Sequence, residues 1–424
     1  MAIKNKYVFK LQKLTKNKKV LFISYDGMTD PLGQSQVMPY LRGLSKAGYC
    51  IFLLSCEKKQ VYHQNKETIQ QILDADNITW VPLHYTKKPP VISTLLDIFK
   101  IKKEAKKIHR EHKLDMVHTR AGVPALIGLW MKNTMGIKFL NDIREFYADG
   151  RVDGGMWNLK TPMYKTVYDY FKKKESQAMI KSDGIVCLTY VAQDIIKTWP
   201  EYKEDIPLEV IPCSVDLELF NPSAVSEEEK RQLQNELKID EHDFIISYLG
   251  SIGGWYLTDE MMQFCKVLSD KIPAAKFLFI SPHRHDDIKA SALKYGIDAV
   301  KIITKKASRK QVPVLLSVSR YSVFFIKPCY SKQSSSPTKH GEIMAMGIPV
   351  ITNSGVGDVA NIVSAFQSGI VIDNFTNDAF EAVVDKIILD SDYDADKIRQ
   401  GALEFYALDK AIEKYCRIYE RILS

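Results

Sequence analysis

The sequence predicts an α/β protein made of two open, doubly wound parallel sheets in series. Three observations predict it. Short apolar runs recur along the chain with helical patterns between them. The runs fall into two sets of five or six, divided by a polar joint. The 424 residues leave room for two domains of roughly 200 residues each.

The first set of runs is Val20–Ser24, Ile51–Ser55, Met116–His118, Phe139–Ile143 and Gly184–Leu188. The second is Phe244–Leu249, Phe277–Ile280, Val300–Ile303, Val323–Ile326, Pro349–Thr352 and Gly369–Ile372. Apolar runs this short read as parallel strands buried on both faces. Helical patterns between them imply βαβ units, hence two Rossmann-like domains. The joint is expected near Asn221–Ser226, after the turn Ile211-Pro212-Cys213, and acidic Glu227–Glu229 then opens a polar helix. The expected domains are 1–220 and 221–404. No internal repeat or low-complexity segment is evident.

Composition narrows the class. Apolar residues make up 46% and charged residues 26%, the profile of a soluble globular protein. No apolar run approaches the roughly 20 residues that span a bilayer. The longest, Val123–Met131, is short and contains Pro124. The Lys-rich start lacks the apolar core of a secretory signal. Seven cysteines without a CxxC pair, and no histidine cluster, read as reduced thiols in a cytoplasmic protein rather than a metal site. The net charge of +8 is uneven: residues 1–25 hold seven lysines and no acid. A second basic block, Lys87–Lys113, mixes Ile92, Leu95, Leu96, Phe99 and Ile101 with Lys100, Lys102, Lys103, Lys106 and Lys107. Such a helix either lies on anionic lipid or packs its apolar face into the core, and packing is the expectation. No nucleic-acid-binding signature accompanies the charge. The DxD sequences at Asp74–Asp76 and Asp392–Asp394 sit in polar or capping segments, away from a strand edge.

Two loops carry chemistry. In Ser334–Asp358, Pro337 suits the first helical position, and Ser334, Ser335, Ser336 or Thr338 can supply the cap oxygen. The free amides and helix dipole there favour an anion, and Lys339 adds a charge. Glu342, three residues on, shares that helix face and suits sugar hydroxyls. Phosphate and ribose together point to a nucleotide. The plainer alternative is a capped helix with a surface Lys–Glu pair. In the first half, Val20–Ser24 leads through a long loop to Gly33, where the missing side chain lets a ligand approach the helix mouth. The GxGxxG fingerprint is absent, which disfavours a simple NAD enzyme.

The segments DPLGQSQVMPYLRGLSKAGY, NDIREFYADGRVDGG, VIPCSVDLELF, YLGSIGGWY and SSPTKHGEIMAMGIPVI, in this order, resemble bacterial glycosyltransferases of family 4, with the GT-B fold. The resemblance runs from Lys19 nearly to the end. It implies two Rossmann-like domains facing a cleft, the acceptor mainly on the first and the nucleotide-sugar donor on the second. It also implies a last helix, Phe405–Leu423, crossing back onto the first domain, so that 405–424 joins 1–220. Glu342 matches the second glutamate of the family's Glu-x7-Glu element, which binds the donor ribose. The first glutamate falls at Ser334, a departure at a donor-sugar contact. The Arg and Lys that often follow the first strand of the second domain are replaced by Gly250-Ser251-Ile252-Gly253-Gly254-Trp255-Tyr256.

The resemblance assigns Glu342, Ser334, Pro337, Thr338, Gly250, Ser251, Gly253 and Gly33 to the donor. Lys339 is the first choice of cation for the departing diphosphate and Lys327 the second; Lys332 reads as a solvated lysine. His118, at a strand end, would orient the donor sugar. Arg120, Arg144 and Asp149 are candidates for phosphate or acceptor, and Asp149 and Asp153 flank a glycine-rich loop expected to move. Trp255 and Tyr256 stack on a base or sugar, or pack in the core. The implied activity is a retaining, metal-independent glycosyltransferase without a cofactor. Its partners would be a nucleotide-diphosphate sugar and a glycan or lipid-linked glycan, with no nucleic acid. It would act in bacterial surface polysaccharide or glycolipid assembly, in the cytoplasm or at the inner face of the membrane. A sugar-nucleotide epimerase and a non-catalytic nucleotide-sugar or glycan binder are the alternatives.

Overall fold

A computed structural model describes residues 17–389 and 392–424. Most of the basic tail read from the sequence therefore lies outside the described residues. Two compact units emerge. One ends at Pro212 and is completed by Leu408–Ser424; the other is Cys213–Ala407. The joint thus falls at Cys213, ahead of the polar segment where the sequence placed it.

Among the described residues the first unit contains seven strands: β1 Lys19–Ser24, β2 Cys50–Glu57, β3 Thr79–His84, β4 Met116–Arg120, β5 Lys138–Ile143, β6 Gly184–Cys187 and β7 Leu208–Val210. They pair in parallel in the order β3-β2-β1-β4-β5-β6-β7. The order reverses between β1 and β4, where Ser24 pairs with Arg120. Alternation along β1 feeds two cores. Leu21 and Ile23 enter one, while Val20 and Phe22 enter the other, on the opposite face. Two strands were not read from the sequence. The first, β3, carries Pro82 at the sheet edge, and β7 is only three residues long.

The last helix, Leu408–Leu423, belongs to this unit. Phe405 instead ends the preceding helix, Ala395–Phe405. Ala411, Tyr415, Ile418, Tyr419 and Ile422 form its buried stripe. Gly43 and Gly184 make this packing close, since a Cβ would stand 2.2 Å from Ile412 and 2.6 Å from Ile422.

The basic helix, Ile92–His112, is oriented differently from the expectation. Ser93, Asp97, Ile101, Ala105 and Ile108 are the buried face. Asp97 turns inward because Tyr25 Oη (3.0 Å), Thr86 N (3.0 Å) and Thr86 Oγ1 (2.7 Å) donate to its carboxylate. That registration leaves Ile92, Leu95, Leu96 and Phe99 outside, 50–69% exposed.

Among its described residues the second unit has six parallel strands: β8 Phe244–Leu249, β9 Ala275–Ile280, β10 Ile302–Lys305, β11 Tyr321–Val323, β12 Val350–Asn353 and β13 Gly369–Ile372. Their order is β10-β9-β8-β11-β12-β13, so the reversal lies between β8 and β11. Strand β10 begins later than read because Ala299–Lys301 is a 3-10 turn capped by Asp298. Beyond β11, the Asn353 side chain replaces a strand partner: Ile326 N donates to its Oδ1 (2.8 Å) and its Nδ2 donates to Ile326 O (2.9 Å). Among the described residues no helix is long and apolar enough to cross a membrane.

Candidate functional site

The second unit gathers charge at the C-terminal ends of its strands, where open α/β sheets bind ligands. The helix Thr338–Ala345 starts here. Pro337 is the residue before the helix rather than its first position, with φ −68° and ψ 115°, and no side chain caps the helix. The serines are used elsewhere. Ser334 is fully buried and its hydroxyl donates to Ser331 O (2.8 Å), while Ser336 Oγ accepts from Cys213 N (3.2 Å). The Ser334 hydroxyl is therefore engaged within the chain. Thr338, half-buried, opens the uncapped first turn.

Lys339 is 7% exposed. Its Nζ donates to Tyr248 Oη at 3.3 Å and lies 3.7 Å from the Tyr256 ring centroid and 4.4 Å from that of Tyr248. Burial pushes this lysine down to about 7, against the pull of Glu342. The ring faces favour the ammonium, an effect of about 2 kcal/mol when desolvated. Glu342, also 7% exposed, accepts from Arg309 Nη1 at 2.8 Å. Burial raises its pKa, while Arg309 and Lys339 counter that rise. The surface Lys–Glu pair is thus excluded: both side chains are buried.

Glycines bring cations close to the loop after β8. Gly250 has φ +117°, and a Cβ there would lie 3.0 Å from Lys339 Nζ. Gly253 has φ +75°, and a Cβ there would lie 2.8 Å from Arg284 Nη1. Arg284 also donates to Ile252 O (3.3 Å). Ser251 is half-buried between them, and its carbonyl accepts from Tyr248 Oη. The loop that lacks its own Arg and Lys thus borrows cations from helix and strand ends further along the chain. Lys327 is exposed, and its backbone N donates to Trp255 O (2.9 Å). Lys332 is not a solvated lysine: its Nζ sits 3.8 Å from the Trp255 ring centroid.

Sequence reasoning missed Arg284, Arg309 and Tyr248. Arg284 and Arg309 follow β9 and β10, so a search for basic residues just beyond strand ends finds both. Tyr248 is a strand residue inside an apolar run, and nothing local marks it.

The first unit's candidates are mostly engaged. His118 lies within β4, not at its end, and is fully buried. Its Nδ1 is 2.7 Å from Tyr419 Oη and its Nε2 is 3.3 Å from Asp142 Oδ2. Burial lowers its pKa, with Asp142 opposing. It anchors the last helix and is enclosed away from any sugar. Arg144, 7% exposed, donates to Tyr415 Oη (3.2 Å) and pairs with Asp142 (3.5 Å) in the same network. Arg120 stands at the reversal of strand order and donates to Asp26 Oδ2 (2.5 Å). Asp149 pairs with Lys172 (2.9 Å) and accepts from Tyr168 Oη (2.8 Å). It sits in a helix, Tyr147–Asp153, instead of a mobile glycine loop. Gly33 serves packing: a Cβ would stand 2.2 Å from Gly27 O, so chain and not ligand fills the space.

Two parallel-sheet Rossmann-like units in this order define the GT-B fold class. The crystal structure of a glycosyltransferase from Rickettsia africae ESF-5 is similar across 96% of this chain and 99% of its own, with TM-score 0.71 and 16% identity. Anabaena HepE, in complex with UDP and glucose, is similar across 94% and 98%, with TM-score 0.66 and 10% identity. Residues 229–404, most of the second unit, match the model of the family described as glycosyl transferases group 1. An alpha-monoglucosyldiacylglycerol synthase of Streptococcus pneumoniae (strain ATCC BAA-255 / R6) is 21% identical over 254 residues, 59% of this chain. The match spans about half, 54%, of that relative's length.

Proposed function

We propose that the chain is a retaining glycosyltransferase that moves a sugar from a nucleotide-diphosphate sugar to an acceptor hydroxyl. The observation that carries this reading is Lys339, buried among aromatic rings at an uncapped helix mouth, three residues from Glu342. Lys339 and the free amides of the first turn would meet the diphosphate, with Arg284 alongside. Glu342, held by Arg309, would accept from the ribose hydroxyls. These groups act where negative charge develops as the glycosidic bond breaks, usually the largest catalytic term. They supply cationic charge from the protein itself, which favours metal-independent transfer without a cofactor; unchanged turnover in a chelator is the corresponding expectation.

HepE's complex with UDP makes a uridine donor the first to try. The acceptor is a glycan or a lipid-linked glycan, in surface polysaccharide or glycolipid assembly, and the glycolipid synthase relative supports this class. The exposed Ile92, Leu95, Leu96 and Phe99, beside Lys103, Lys106 and Lys107, suit peripheral contact with the anionic inner face of a membrane. Isothermal calorimetry over UDP-, GDP-, ADP- and TDP-sugars tests the donor reading. One donor should bind, and Glu342→Gln should weaken it by about 1–3 kcal/mol through loss of a charged acceptor. Unchanged affinity in that variant would remove Glu342 from the site. Retention is tested by proton NMR of the anomeric signal in the product.

A further inference from the structure

The chain passes between the two units twice, at Pro212–Cys213 and at Ala407–Leu408. Within the second unit the residues beside these crossings pair with each other. Val215 N donates to Tyr406 O (2.8 Å), and Val215 and Ala407 form a parallel bridge. The helix Thr338–Ala345, whose mouth carries Lys339, is fastened to both. Just before the helix, Ser336 Oγ accepts from Cys213 N (3.2 Å). In its first turn, His340 Nδ1 lies 2.9 Å from Tyr406 Oη. Gly341 lets the helix press on both segments, since a Cβ there would stand 2.7 Å from Val215 Cγ2 and 2.8 Å from Tyr406 Cγ. At the far end, Arg399 Nη1 donates to Ala345 O and Phe220 O, and its Nη2 donates to Leu217 O (3.3 Å).

On packing grounds alone a leucine would serve better than His340. The histidine is fully buried between the Phe324 and Tyr406 rings, and its Nε2 has no hydrogen-bond partner among the described residues. An unpaired buried polar atom costs about 1–3 kcal/mol, which an apolar side chain avoids. What the imidazole offers in return is a directional bond to Tyr406, itself only 1% exposed. Burial holds the His340 pKa down at about 3, so the ring is neutral and adds no charge to the anion site beside it. The first turn of this helix has no side-chain cap, and uncapped helix ends fray. An anion held by the free amides would order that turn. Ser336 and His340 lie on either side of Thr338, so the ordering reaches Cys213, Val215 and Tyr406 through bonds already in place.

We infer that His340 and Tyr406 are a positioning pair that couples a donor at the helix mouth to both chain crossings. The inference rests on the nucleotide-sugar reading of that site and adds how the site acts on the rest of the chain. The test is hydrogen–deuterium exchange of the full chain, read by mass spectrometry. The probe is the nucleotide sugar that calorimetry over UDP-, GDP-, ADP- and TDP-glucose selects. In the wild type it should slow exchange in segments 211–217 and 404–408 on the order of tenfold. His340→Leu and Tyr406→Phe each leave the other polar atom buried and unpaired, so each alone should lower the thermal midpoint. Combining them removes both polar atoms and should restore much of it. A merely structural pair would regain its role together with stability. The double variant should instead keep donor affinity within about twofold, lose the donor-induced protection at both segments and show kcat lowered on the order of tenfold. If the double variant does not fold, Tyr406→Phe alone, which deletes one oxygen, should lose the protection at 404–408. Wild-type protection in these variants overturns the inference, as does a wild type whose crossings the donor does not protect. Calorimetry separates the two readings. A donor that binds without protecting the crossings defeats only the coupling, whereas no donor binding at all defeats the nucleotide-sugar reading as well.

Discussion

Lys339 makes donor binding depend on pH in a way that can be worked out in advance. Burial holds its folded value at about 7, against the ordinary 10.5. About nine-tenths of Lys339 is therefore charged one unit below that value and about one-tenth one unit above. A diphosphate beside the ammonium favours the charged form. The gap between the two values amounts to on the order of 5 kcal/mol between protonation states, so a bound diphosphate has ample room to raise it. Donor affinity should then be highest below neutral pH. It should fall about tenfold from pH 6 to pH 8, with proton uptake on binding above neutrality. The assay is calorimetry with a nucleotide-diphosphate sugar in buffers of different ionisation enthalpy. Both phosphates of such a donor are diesters and keep constant charge over this range. Stability in the free protein has the opposite slope. The unfolded chain binds this proton up to its ordinary value and the folded chain does not, so this contribution grows as pH rises from about 7 towards 10.5. Lys339→Met should flatten both profiles. A wild-type affinity that does not change between pH 6 and pH 8 would refute the reasoning.

Other expectations follow from the same geometry. Lys339→Ala should lower kcat by about 10²–10³ and raise donor KM less, as for a charge stabiliser acting in the transition state. Steady-state kinetics decides this, with exposed Lys289 as the control in place of Lys332, which contacts the loop. Arg309→Ala should weaken the donor by about 1–3 kcal/mol and also destabilise the fold, because Glu342 is left buried without its partner. Calorimetry and urea unfolding read the two effects, and a silent variant removes Arg309 from the site. Gly250→Ala should cost about 1–3 kcal/mol from backbone strain at positive φ and crowding of Lys339, measured by chemical unfolding. Leu95→Ser with Phe99→Ser should reduce cosedimentation with anionic vesicles while leaving donor affinity intact; equal partitioning would dismiss the membrane surface.

The two-sheet architecture was legible because strands such as Val20–Ile23 and Phe277–Ile280 are continuous apolar runs that recur between helical patterns. Val20–Ile23 serves cores on both faces, so its sequence shows no polar gap. Edge strands escaped for the opposite reason: Thr79–His84 is exposed enough to carry Pro82 and polar ends. In the site, Lys339 and Glu342 could be read together because one helix presents both. Arg309 and Tyr248 could not, since they reach that helix from 33 and 91 residues away. His118 was misread for a related reason. Its partner Tyr419 lies 301 residues further on, and the strand continues two residues beyond it to Arg120. The basic helix was misread because Asp97, a charged residue, holds the inward face. Periodicity assigns such a residue to solvent unless the groups that satisfy its carboxylate are known.

The most direct test is to follow the sugar. The full chain is incubated with the donor that binds best and with the glycoside or membrane-lipid acceptor that binds best. Release of nucleoside diphosphate and formation of the new glycosidic bond are measured together by mass spectrometry. The account predicts equal amounts of both in the wild type and a large loss of both in Lys339→Ala. Epimerised donor in the absence of acceptor, or a tightly bound donor that is never consumed, would contradict it.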